Sequence, residues 1–231
     1  MTPRLILATT NAHKVREIAG MFAATGDATQ VMSAAELGTP PEIEETADTF
    51  AGNAVLKAVG FASWLRGLTG ASPDDLCVAD DSGICIDALE GAPGVRSARF
   101  AGEAATDDAN NAAMVEALRA AGLDRSAAHY ACVLAVARVD GTPLALASAS
   151  PGPEGSPSVA DLRGALLFEG RCEGEVRITR QGQGGFGYDP YFWIDGGART
   201  FADLSDEEKS RRSHRGHALR AMMARWAEFG R

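Results

Sequence analysis

The 231-residue sequence has little cysteine, little aromatic character and no surplus of positive charge. It has four cysteines, Cys77, Cys85, Cys132 and Cys172, with no C-x-x-C pair and no zinc spacing, which argues against a zinc module and a disulfide scaffold. Cys77, Cys85 and Cys132 lie in apolar runs, where cysteine acts as a small buried hydrophobe, and the pattern fits a reduced, cytoplasmic chain. The formal net charge is −9, and no basic stripe offsets it, which disfavours nucleic acid or an anionic membrane as a partner. A small anionic substrate stays open, because a few local Lys and Arg can overcome the global sign. No apolar run approaches the ~18–20 residues of a membrane helix. The first residues, Met1 to Ala8, turn polar too soon for a signal peptide. Three motifs are also missing: the G-x-x-x-x-G-K-[ST] phosphate loop, a G-x-G-x-x-G after the first strand, and the G-x-S-x-G elbow.

What is present reads as an α/β chain. Leu5 to Ala8 forms a buried strand, and Val15, Ile18, Ala19 and Phe22 follow at helical spacing. Asp48 or Thr49 caps a second helix running to about Leu65, and Thr106 caps a third that ends near Gly122. Leu76 to Val78 and Ile84 to Ile86 read as strands separated by a tight turn at Asp80-Asp81-Ser82-Gly83. His129 to Val139 is a long strand, Asp140-Gly141 a hairpin signal, and Leu144 to Ala147 its return. Residues 149–163, rich in Pro, Gly and Ser, read as a flexible loop. Two further strands fit Ala165–Phe168 and Glu175–Thr179, and Tyr191 to Trp193 a short one. Ser205 to Glu208 is a capping box. A last helix carries Leu219, Met222, Met223, Trp226 and Phe229 on one stripe. No repeat or domain linker interrupts the chain, so 1–231 is expected to be a single domain.

Four clusters can carry chemistry. In Thr9-x-Asn11-x-x-Lys14 a lysine sits in the first turn of a helix, which disfavours it unless an anion compensates. A solvated capped helix is the plain alternative. Glu42, Glu44, Glu45 and Asp48 precede a helix and supply the oxygen ligands that Mg²⁺ takes alongside substrate phosphates. They also suit an ordinary acidic first turn. Asn53 and Lys57 share a helix face at i, i+4. The adjacent carboxylates Asp80 and Asp81 repel one another, a cost relieved by a cation or a proton-handling role. In Gly184 to Pro190, glycines flank Phe186 and Tyr188, either of which can stack on a base or simply fill a core. Lys209, His214 and Arg215 donate hydrogen bonds near a helix start and can read a base carbonyl, or merely answer Asp206 to Glu208.

Taken in order along nearly the whole chain, these motifs carry a family resemblance. They are Thr9-x-Asn11-x-x-Lys14, Glu44-Glu45-Thr46, Ala79-Asp80-Asp81-Ser82-Gly83, Gly91 to Gly94, Ser97-Ala98-Arg99, Gly184 to Pro190 and Ser213-His214-Arg215-Gly216. The chain resembles the inosine triphosphate pyrophosphatase family, also called the Ham1 or dITP/XTP pyrophosphatase family. The resemblance implies an elongated α/β fold with a long twisted mixed sheet, two lobes and a nucleotide cleft, assembled as a homodimer. It implies Mg²⁺-dependent hydrolysis of aberrant purine nucleoside triphosphates (ITP, dITP, XTP) to monophosphate and pyrophosphate. A related phosphatase of other modified nucleotides is the alternative. Carried over by position, Thr9, Thr10, Asn11, Ala12, His13 and Lys14 cradle phosphates. Glu44 and Asp81 hold the metal, with Glu44 against Glu45 left open. Asp81 is the proton acceptor, and Ser82 touches substrate. Phe186, Gly187, Tyr188, Asp189, Lys209, His214 and Arg215 hold the base and sugar end. Thr10 stands where relatives often have Gly.

Overall fold

A computed structural model describes residues 4–9, 12–24, 26, 28–144 and 163–230, with the side chains of Ala12, His13 and Glu17 excepted. The fold is α/β. A mixed seven-stranded sheet runs in the order β2-β1-β3-β4-β5-β6-β7. Its strands are β1 (Leu5–Leu7), β2 (Val31–Ser33), β3 (Leu76–Ile86), β4 (Arg125–Arg138), β5 (Leu166–Arg177), β6 (Phe192–Ile194) and β7 (Arg199–Thr200). β1 lies parallel to both β2 and β3, whereas β5, β6 and β7 pair antiparallel. The main helices are α1 (Ala12–Ala24), α2 (Phe50–Leu65), α3 (Asp107–Ala120), α4 (Asp206–Arg212) and α5 (His214–Ala224), with a final turn α6 (Trp226–Phe229).

The described residues divide into two compact units. Unit 1 draws on 1–81, 133–168 and 218–231, and unit 2 on 82–132 and 169–217. β3, β4 and β5 each contribute residues to both. The core of unit 1 packs Ile6, Ala54, Ala58, Phe61 and Leu65 against Cys77, Ala79, Val133 and Ala135. Within the same unit, Trp226 meets Phe22 edge-on at 5.2 Å, and its indole N–H donates to Thr29 Oγ1 at 3.2 Å. The core of unit 2 packs Ile84, Ile86, Met114, Leu118, Tyr130, Val176, Phe192 and Phe201.

Caps behave as their residues dictate. The Thr49 and Thr106 hydroxyls accept from the backbone N–H three residues on, as does Ser205 within its capping box. Three expectations change. Asp80 and Asp81 are not at a turn: β3 runs unbroken through Asp80-Asp81-Ser82-Gly83. Gly83 is there for a close approach, since a Cβ on it would lie 2.4 Å from both the Gly94 carbonyl oxygen and Ser97 Oγ. The two strands expected at 165–168 and 175–179 are one strand, β5, with Gly170 and Gly174 inside it. The C-terminal stripe is broken after Ala224, and Trp226 and Phe229 sit on the separate α6. The hairpin return at 145–147 lies outside the described residues, as does nearly all of the 149–163 loop. No described helix is long and apolar enough to cross a membrane.

Candidate functional site

Unit 1 carries a cluster of charge around the end of its stretch of β3. Residues Leu76 to Asp81 are buried without alternation, so the sequence there is small and apolar until the two aspartates. Lys14, in the first turn of α1, donates to both oxygens of Asp80 at 2.7 Å. Lys57, mid-way along α2, donates to Asp81 Oδ1 at 2.8 Å and to Glu45 Oε1 at 2.9 Å. One ammonium therefore bridges two carboxylates from different segments. Asp81 is 7% exposed, and its Oδ2 is buried with no hydrogen-bond partner among the described residues.

The electrostatics follow from this packing. Burial pushes the Asp81 carboxyl above the usual carboxylate range, Lys57 pulls it down, and Glu45 and Asp80 push it up again, with a net rise. Burial opposes the Lys57 ammonium, but Asp81, Asp80 and Glu45 more than compensate and hold it above its usual value. A cavity of about 420 Å³ opens on this cluster, lined by Thr9, Lys14, Pro41, Glu45, Lys57 and Asp80 among others. That volume is in the range of small-molecule sites.

Two helices and a loop set this geometry. The 43–48 segment lies on α2: a Cβ at Gly60 would meet Ile43 Cδ1 at 2.7 Å, and one at Gly52 would meet Ala47 Cβ at 2.5 Å. This lets Glu45, not Glu44, turn toward Lys57. Glu44 is exposed, and its side chain makes no hydrogen bond or ion pair among the described residues. Thr9 lines the cavity. Thr10 and Asn11, and the side chains of Ala12 and His13, lie outside the described residues.

Unit 2 holds the other sequence-predicted residues. Ser82 receives a hydrogen bond from Arg215 Nη2 at 3.3 Å, and Arg215 is 3% exposed. The buried His214 ring stacks on Tyr130 with centroids 4.7 Å apart and planes 8° off parallel. Phe186 is an exposed aromatic (47%), with the Lys209 ammonium 4.3 Å from its ring centre. Lys209 also pairs with the buried Asp189, whose Oδ2 accepts from the Phe186 backbone N–H at 2.8 Å. Tyr188 is a core residue: its hydroxyl donates to the Ser97 carbonyl at 2.8 Å. Gly187 is gripped from α3, its N–H donating to Asp107 Oδ2 at 2.7 Å and its carbonyl accepting from Asn111 Nδ2 at 2.9 Å. The sequence offered no separate signal for Tyr130, Asp107 or Asn111. Each reads as an ordinary strand or helix residue, and only the i, i+4 spacing of Asp107 and Asn111 hinted at a shared face.

The donor set suits a hard cation. Among the described residues no three His, Cys, Asp or Glu side chains converge into a self-sufficient metal cage. Mg²⁺ needs none, since it takes one or two carboxylates and completes its shell with water and phosphate oxygens. The bare Oδ2 of Asp81, in a cluster of oxygen ligands without sulfur, fits that demand.

Comparison with known proteins gives the same direction. A sequence model of the Ham1 family matches residues 5–225. The chain is 41% identical over 220 residues to a dITP/XTP pyrophosphatase of Desulforamulus reducens, covering 95% of this chain and 94% of that one. It is 37% identical over 225 residues to a dITP/XTP pyrophosphatase of Geobacillus kaustophilus, covering 97% and 95%. The fold is similar to that of a HAM1 protein from Coxiella burnetii, with a TM-score of 0.77, 33% identity, and 98% and 99% of the two chains covered.

Proposed function

The chain belongs to the Ham1 family, and from that premise we propose that it is a nucleoside triphosphate pyrophosphatase acting on ITP, dITP and XTP. The products are the monophosphate and pyrophosphate, so the bond between the α- and β-phosphates breaks. The observation that carries the reading is Asp81. It is a buried carboxylate with one oxygen on Lys57 and the other without a partner among the described residues, and Lys57 in turn lines a cavity that holds two lysines and three carboxylates.

The chemistry follows residue by residue. Asp81, with its raised pKa, is a stronger base than a solvated aspartate and takes the proton from the attacking water. Lys14 and Lys57 are cations at the cavity and favour a polyphosphate there. When the substrate arrives, its phosphate oxygens compete with Asp80 for the Lys14 ammonium. Asp81 would hold Mg²⁺ together with Glu44 or Glu45, and the contact of Glu45 with Lys57 beside the exposed Glu44 favours Glu45. When bound, the cation neutralises phosphate charge that would otherwise repel these side chains.

Phe186, Lys209, His214 and Arg215 take the base. Their role is supported by an exposed ring for stacking and by a buried guanidinium and imidazole as donors. A 6-oxo purine accepts from such donors. The 6-amino group of adenine does not, and a site that leaves buried donors unpaired rejects it strongly. Homodimer assembly belongs to the same reading and rests on the family alone.

Replacing Asp81 by Asn tests the reading. Asp81→Asn is expected to fold and to lose turnover by about 10²- to 10⁴-fold, the usual contribution of a positioned base. Near-wild-type pyrophosphate release from ITP would remove Asp81 from the chemistry.

A further inference from the structure

Asn53 is the most completely buried polar side chain near the carboxylate cluster, with 0% exposure, and no catalytic role falls to it. It lies one helical turn before Lys57 on α2. Its Oδ1 accepts from the Ala47 backbone N–H at 2.9 Å, while its Nδ2 is buried without a partner among the described residues. Ala47 is two residues from Glu45. The same segment is pressed on α2 at Gly52 and Gly60, where any Cβ would strike Ala47 and Ile43. α2 thus presents a glycine seat and an amide clamp side by side, then the bridging lysine one turn on and a second glycine seat about a turn after that.

From this we infer that Asn53 is a positioning residue that clamps the 43–48 segment to α2 so that the Glu45 carboxylate meets Lys57 and Asp81. The inference rests on the pyrophosphatase reading for its consequence, which is that Mg²⁺ binds the intact enzyme well only while the clamp holds. The residue type fits the task. A bare carboxylate at position 53 could also accept from Ala47, but it would add a fourth negative charge to Glu45, Asp80 and Asp81. A serine is too short to bridge the same span. A neutral amide is the remaining acceptor, and it brings a donor that is left without a partner. A residue kept only for packing would be apolar, since an unpaired buried donor is costly.

The test uses the full chain and two readouts that a merely structural role would not move together. The Mg²⁺ concentration for half-maximal ITP turnover is measured beside hydrogen exchange at the Ala47 amide. For Asn53→Ala the Ala47 amide is expected to lose its protection. The Mg²⁺ requirement is expected to rise about ten-fold or more, the usual cost of losing a residue that orients a metal ligand. Most of the wild-type kcat should return at saturating Mg²⁺. A lowered Tm with an unchanged Mg²⁺ requirement would overturn the inference. If Asn53→Ala does not fold, Asn53→Ser decides, because it stays polar, adds no charge and is too short to reach the Ala47 N–H. Ala47 protection should then fall and the Mg²⁺ requirement rise together, and a change in one without the other overturns the clamp. A wild-type chain that releases no pyrophosphate would count against the functional reading instead, while the exchange measurement would still report on the clamp.

Discussion

On the proposed mechanism Asp81 sets the acid limb of the pH–rate profile. The Asp81 carboxyl titrates above the ordinary aspartate range because burial disfavours its charge, and the base must be ionised to work. The acid limb of the kcat/KM profile, extrapolated to low Mg²⁺, is therefore expected at a pH above the ~3.9 of a free aspartate, and bound Mg²⁺ is expected to draw it down. Lys57 is held above its usual value, so it stays an ammonium across neutral pH and sets no limb there. The sign for stability runs with burial. A carboxyl whose folded pKa exceeds its unfolded one favours the fold at low pH and loses that contribution as pH rises through the folded value. A pH–rate profile measured with the substrate at saturation and well below KM checks this. An acid limb at the value of a free carboxylate that does not move with Mg²⁺ concentration would show that Asp81 is solvated in the working enzyme. The Arg4–Asp75 pair of unit 1 has the opposite sign. Burial raises the Asp75 carboxyl, but the Arg4 side chain and the N–H groups of Ser72 and Arg4 outweigh it. Asp75 therefore stabilises the fold above its unfolded pKa, and that contribution fades as pH falls through the lower folded value.

At the scale of elements, β3 decides where the carboxylates stand. It runs unbroken through Asp80 and Asp81, and Gly83, two residues on, leaves room for the close approach of residues 94–97. Gly83→Ala forces a methyl against the Gly94 carbonyl and Ser97 Oγ and is expected to destabilise by about 1–3 kcal/mol. It should also reduce turnover, since Asp81 lies two residues away. A denaturant midpoint unchanged from wild type would show that the 94–97 turn gives way freely. This element was also the least legible in the sequence. Asp, Ser and Gly together spell a turn, and nothing local says that a glycine is spent on a neighbour 14 residues on. Helix starts were legible because Thr49, Thr106 and Ser205 act on their own next turn. The long β5 was not, because Gly170 and Gly174 look like breaks. Gly174 instead admits Trp193 and Phe192 from β6, whose atoms would lie 2.5–2.9 Å from a Cβ. That Glu45 rather than Glu44 meets Lys57 was equally hidden, since it turns on how Ile43 and Ala47 seat on α2.

At the scale of the whole molecule, the ordered set of motifs identified the family, and the mixed sheet and the Ham1 comparisons agree with it. The composition could only exclude: a net charge of −9 leaves cationic chemistry to a few placed residues, and Lys14, Lys57, Lys209 and Arg215 are where the structure puts them. The central claim is a pyrophosphate-releasing reaction with selection for 6-oxo purines. It is tested most directly by separating the products formed with Mg²⁺ from ITP, XTP, dITP and ATP. Pyrophosphate and monophosphate are expected from ITP, XTP and dITP, with ATP turned over far more slowly. Orthophosphate as the product, or ATP turned over as fast as ITP, would contradict it.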